Sequence, residues 1–162
     1  MISRRILFAA VPVLALAAAG ASYARQPAPP PAYRLTLKAM LFYNDKGTFS
    51  RDIIARPMEL WNTPIGEGGA GGGSNATLVV ADVRGEGGSY VPERKVQLTV
   101  TENGRTTFQR AEETSVLNTD GHTYVGFWLY GTGCRRIRLS ARIQGQTPST
   151  PVTATIPFAC GE

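Results

Sequence analysis

Downstream of Tyr33, apolar and polar residues alternate with a period of two over most of the chain. Leu35, Leu37, Ala39 and Leu41 fall on one side of the first such run, with Arg34, Thr36 and Lys38 on the other; this is the pattern of a strand with one buried face. Val96, Leu98 and Val100 alternate with Lys95, Gln97, Thr99 and Thr101, and the run ends in Glu102-Asn103-Gly104-Arg105. Asn and Gly accept the positive φ values of a type I′ turn, so a hairpin is expected here, returning over Thr106 to Arg110. Ile137, Leu139, Ala141 and Ile143 alternate with Arg136, Arg138, Ser140 and Arg142. Val152, Ala154, Ile156, Phe158 and Cys160 then alternate with Thr153, Thr155, Pro157 and Ala159. This phase aims Cys160 inward, and Pro157, with no N–H to donate, sets the last strand at a sheet edge or makes it irregular.

Ala76 to Val83 and Thr123 to Tyr130 are apolar on both faces, as central strands are. Weaker strand patterns cover Arg56 to Trp61 and Glu113 to Leu117. No segment carries a helical period. Short β-branched and aromatic runs separated by Gly, Pro, Asn and Asp predict an all-β fold, a single antiparallel β-sandwich of about seven strands.

The first residues change the picture of where this domain works. Arg4 and Arg5 precede an apolar run from Ile6 to Ala19, and Ser22-Tyr23-Ala24 supplies small residues at the positions a signal peptidase reads. Residues 1–24 are therefore expected to be a signal peptide, too short in its apolar part for a transmembrane anchor, which leads to a periplasmic or extracellular location. Residues 25–32 include Gln26-Pro27-Ala28-Pro29-Pro30-Pro31-Ala32, a polyproline-type tether, and residues 33–162 form the expected domain. Of 17 basic and 12 acidic residues, Arg4 and Arg5 leave with the signal, so the remaining chain carries 15 − 12 = +3. A balance this mild suits no dedicated nucleic-acid binder.

Cys134 and Cys160 are the only cysteines. In an oxidising compartment they are expected to pair, closing a loop of about 27 residues worth roughly 3–4 kcal/mol. Asp120-Gly121 followed by the strand Tyr124 to Tyr130, then Arg136 to Gly145 and Thr153 to Phe158, resembles the closing strands of bacterial immunoglobulin-like domains. The resemblance covers about the last forty residues. It implies an immunoglobulin-like sandwich serving adhesion, spacing or accessory binding outside the cell. The cysteine pair and the long segment Asn44 to Asn75 depart from that pattern, so no residue role is carried over.

Candidate chemistry is sparse. Gly66-Glu67-Gly68-Gly69-Ala70-Gly71 matches the letters of a dinucleotide fingerprint, but a strand rather than a helix is expected after it, so residues 66–73 read as a flexible Gly-rich insertion or a lip over a binding surface. Gly131-Thr132-Gly133-Cys134-Arg135 bears a distant likeness to the cysteine motif of L,D-transpeptidases, which are cell-envelope enzymes. It lacks the adjacent histidine, and a disulfide-bonded Cys134 cannot act as a nucleophile. No catalytic residue, metal site or cofactor is expected, because His122 is the only histidine.

Two surface patterns remain. Arg136, Arg138 and Arg142 share an outward face, either as a solvated row with acidic cross-strand neighbours or as guanidinium forks for a polyanion. Tyr124, Trp128 and Tyr130 share one side of their strand, with Val125, Phe127 and Leu129 on the other. Large aromatics are usually buried, so the Trp128 side is expected to be core; turned outward, it would be a stacking platform for a glycan. The sequence thus predicts a noncatalytic exported module with an unspecified ligand, with envelope polysaccharide or another exported protein as candidate partners.

Overall fold

The computed structural model describes residues 29–161, so the expected signal peptide and the start of the tether lie outside the described residues. Ten strands are formed: β1 (Arg34–Tyr43), β2 (Thr48–Phe49), β3 (Leu60–Trp61), β4 (Ala76–Arg84), β5 (Lys95–Glu102), β6 (Arg105–Glu113), β7 (His122–Tyr130), β8 (Ile137–Gln144), β9 (Val152–Ile156) and β10 (Phe158–Ala159). Among the described residues there is no helix. Seven of the strands have five residues or more, and the other three are two-residue pairs.

Two four-stranded antiparallel sheets, ordered β2-β1-β4-β7 and β6-β5-β8-β9, contribute their inner faces to one core; β3 and β10 form a short parallel pair. Ala39, Leu41, Val79 and Val83 from the first sheet and Val96, Leu98, Leu139 and Ala141 from the second are fully enclosed. Burial of each larger aliphatic among them contributes about 1.5–3 kcal/mol. The alternation of β1, β5 and β8 decides which edge of each strand meets this core. The hairpin between β5 and β6 closes as its Asn-Gly pair requires, with φ of 48° at Asn103 and 77° at Gly104.

Several expectations are corrected. β6 runs on to Glu113 rather than ending at Arg110; after Phe108 neither face of it is well buried, so no apolar period marks its length. The stretch after Glu113 is a loop anchored by buried Thr114 and Leu117. β9 does lie at a sheet edge, and the chain breaks at Pro157, after which β10 leaves the second sheet to pair with β3. Cys160 lies beyond β10 and is exposed, because there the chain has passed the end of the core. β7 is not central: it forms the outer edge of the first sheet.

The Gly-rich segment packs against the β1–β2 turn. Gly71 N–H donates to the Tyr43 hydroxyl (3.0 Å), Asn44 N–H donates to Gly73 C=O (2.9 Å), Gly69 N–H donates to Glu59 C=O (2.7 Å), and Lys46 Nζ donates to Gly71 C=O. A Cβ at Gly72 would come within 2.6 Å of Asp45 Oδ1, at the end of an exposed side chain that would have to turn aside. The segment is thus a fitted filler between turns, with β3 before it and β4 after it.

Candidate functional site

Cys134 and Cys160 are joined by a disulfide, with their Cα atoms 4.6 Å apart. The bridge ties the β7–β8 connection to the chain beyond β10. The segment after β3 bonds to both tied ends: Asn62 N–H donates to Ala159 C=O (2.9 Å), Gly161 N–H donates to Asn62 Oδ1 (2.8 Å) and Thr63 N–H donates to Gly133 C=O (3.4 Å). Gly133, at φ 129°, lies so close to buried Thr63 that no other side chain fits there. The region of sequence with a distant likeness to a nucleophile motif is therefore a tightly packed knot, and neither sulfur is free.

The outer faces of the two sheets differ sharply. On the second sheet, Gln97, Thr99 and Thr101 of β5 lie beside Arg142, Ser140 and Arg138 of β8. Arg142 Nε donates to Gln97 Oε1 (2.8 Å), and Arg138 lies between Thr101 and Thr155. The neighbours of these arginines are hydroxyls and amides rather than the acids expected, and Arg136 falls outside β8. This is an ordinary solvated face, as one side of an antiparallel sheet commonly is.

At one end of the first sheet the outward positions are apolar and aromatic. Val125, Phe127 and Leu129 of β7 enter the core, so the strand period turns Tyr124, Trp128 and Tyr130 to solvent, at 57%, 40% and 76% exposure. The expectation that this set is core is thereby reversed. Register places Leu78 and Met40 beside Trp128, and Ala76, Phe42 and Phe49 beside Tyr130. The Trp128 ring packs edge-on to Phe42 (centroids 5.9 Å), touches Phe49 (5.9 Å) and runs nearly parallel to Tyr130 (6.2 Å, 12°). Three exposed aromatic rings thus form a continuous patch around half-buried Phe42 at one end of this face.

The opposite end of the same face is polar. Asp82, on β4 beside Tyr124, is almost fully buried; its Oδ1 contacts His122 Nδ1 (2.9 Å) and its Oδ2 accepts from Arg84 Nη2 (2.9 Å). Burial by itself would raise the Asp82 pKa, but the hydrogen bonds and charges of Arg84 and His122 outweigh it, holding the carboxyl below its usual range. His122 in turn stacks on Tyr124 (6.0 Å). Sequence reasoning missed this cluster; its signal was a lone Asp within the apolar run Thr77 to Val83.

Beside the free edge of β7 runs a cleft. One part of about 290 Å³ lies between Gly126, Trp128 and Tyr130 of β7 and Phe108, Arg110 and Glu112 of β6. A second of about 390 Å³ continues past Tyr130 and Phe108 to Cys134, with the Arg135–Glu102 ion pair (3.1 Å) at its rim. Among the described residues no three His, Cys, Asp or Glu side chains converge as metal ligands. Compared with known proteins, the chain matches no family model and no curated protein.

Proposed function

We propose that this protein is an exported, noncatalytic binding module whose ligand surface is the outer face of the β2-β1-β4-β7 sheet at its Trp128 end. The observation that carries the reading is the contrast between the two outer faces: one is the usual polar surface, and the other exposes Trp128, Tyr130 and Phe49 around a half-buried Phe42. An exposed aromatic cluster of this kind costs solubility, and such patches mark interaction sites. The disulfide supports export, since structural disulfides persist in oxidising compartments, and the bonded state of Cys134 supports a noncatalytic role.

In this reading the two sheets pack as an immunoglobulin-like sandwich. Counted in order, the long strands place the first, second and fifth in one sheet and the fourth, third, sixth and seventh in the other. This is the immunoglobulin plan with its fourth strand moved across to the opposite sheet. The test is co-sedimentation with the isolated cell envelope of the protein's own host. Wild-type protein is expected to pellet, and Trp128→Ala/Tyr130→Ala, with circular dichroism unchanged, to stay in the supernatant; equal pelleting of both would overturn the proposal.

A further inference from the structure

We propose that the free edge of β7 takes up an extended polypeptide segment as an added strand, lying in the cleft between β7 and β6. This rests on the binding reading above and names its ligand. The backbone phase carries the argument. Gly85 N–H donates to Gly121 C=O (2.9 Å) and Gly131 N–H donates to Asn75 C=O (2.8 Å) at the two ends of the β4–β7 ladder. With the register between them, Thr123, Val125, Phe127 and Leu129 exchange hydrogen bonds with β4. The N–H and C=O groups of Tyr124, Gly126, Trp128 and Tyr130 therefore point away from β4, to a side where none of the described strands lies. At His122 the corresponding groups are capped: its C=O accepts from Asn118 N–H and its N–H donates to Asn118 Oδ1, both at 2.8 Å. The edge is thus closed at one end and open from Tyr124 to Tyr130.

An open edge of this length, flanked by aromatics, invites pairing unless something blunts it. β7 carries no charged residue from Thr123 to Tyr130, no proline and no bulge, and Gly126 at its middle leaves the incoming backbone room. The other wall explains the choice of occupant. β6 belongs to the opposite sheet; its Phe108 packs on Phe127 of β7 (6.4 Å), while its inward side chains Arg110 and Glu112 line the cleft beyond that contact. An added strand would lie along that opening, setting alternate side chains toward Arg110 and Glu112 and the others beside Trp128 and Tyr130. Only a polypeptide repeats N–H and C=O at the spacing the edge presents. A second copy is disfavoured, because its own β6 would bring a second wall into the same cleft. Arg110 and Glu112 neutralise each other (2.5 Å), so the wall favours an uncharged segment.

The test is amide hydrogen exchange followed by NMR on the full chain, with a soluble ten-residue peptide of alternating Val and Thr as probe. Without peptide, the amides of Tyr124, Gly126, Trp128 and Tyr130 are expected to exchange fast and those of Val125, Phe127 and Leu129 slowly. At millimolar peptide the first set is expected to slow by about tenfold or more. The same peptide N-methylated at alternate amides, which leaves the protein untouched, is expected to give no slowing. Gly126→Pro is expected to abolish the effect as well. No slowing with the unmodified peptide, or equal slowing with the methylated one, overturns strand addition. Envelope polysaccharide that shifts the Trp128 and Tyr130 signals without protecting these amides would overturn it in favour of a glycan while leaving the aromatic binding face intact.

Discussion

Removing the disulfide by Cys134→Ala/Cys160→Ala should destabilise the domain without touching its binding. The two positions are 26 residues apart in sequence, and on the chain-entropy relation a cross-link of that span withholds about 12 cal/mol/K from the unfolded ensemble, about 3.5 kcal/mol at 25 °C. For a domain of this size, that corresponds to a fall in Tm of roughly 10–15 °C. The folded ends should stay in place without sulfur, because Asn62 holds Ala159 through its backbone N–H and Gly161 through its side-chain Oδ1, and Thr63 N–H donates to Gly133 C=O at the other end. The loss therefore belongs to the unfolded state, which becomes more expanded. Urea titration should show a lower midpoint together with a larger m-value. A midpoint shift worth less than about 1 kcal/mol would refute the reasoning, since the bridge would then constrain nothing that matters. Loss of binding at full foldedness would refute the separation of the bridge from the binding surface.

Asp82→Asn is expected to cost about 1–3 kcal/mol, because a buried carboxylate that holds both Arg84 and His122 is removed. The Asp82 pKa is lowered in the folded state, from an ordinary value of 3.8. Its contribution is thus complete above about pH 4 and fades as pH falls through the lower folded value; wild-type stability should drop more steeply below that pH than the variant's in acid-unfolding curves. Gly133→Ala should prevent stable folding or cost on the order of 3 kcal/mol or more in thermal melts, since its Cβ would clash with Thr63 Oγ1 and approach Pro64 Cδ to 2.8 Å at a φ of 129°. Leu98→Ala, in the centre of the core, should cost about 2–5 kcal/mol by urea titration, whereas Gly104→Ala, whose Cβ meets nothing, should cost only about 1 kcal/mol from its positive φ.

Much of this architecture is legible in the residues because one physical pattern determines it. β1, β5 and β8 each alternate cleanly, so their buried edges can be read directly; Asn103-Gly104 announces its turn, and Pro157 announces the break that releases β10. β7 resists the same treatment. Both of its faces are apolar, and alternation alone cannot say which one a second layer covers; burial tendencies then favour the larger rings and point the wrong way. The covered side is decided by neighbours distant in sequence, since Phe127 packs against Phe108 of the other sheet (6.4 Å) while the aromatic partners of Trp128 are Phe42, Phe49 and Tyr130 on its own sheet. The Asp82 cluster was hidden for a related reason. Its partners are 2 and 40 residues away, and only the β4–β7 register brings Arg84, His122 and Asp82 to one place.

The most direct test of the central claim compares the two outer faces in the cell. A photoreactive phenylalanine analogue is placed at Trp128 in one variant and at Ser140 in another, the latter on the polar face of the second sheet. Irradiation of cells making each variant, followed by electrophoresis of the chain, reads contact at each surface. Cross-linked species from position 128 alone are predicted. Cross-links from position 140 alone, or equally from both, would contradict the assignment of the aromatic face as the binding surface.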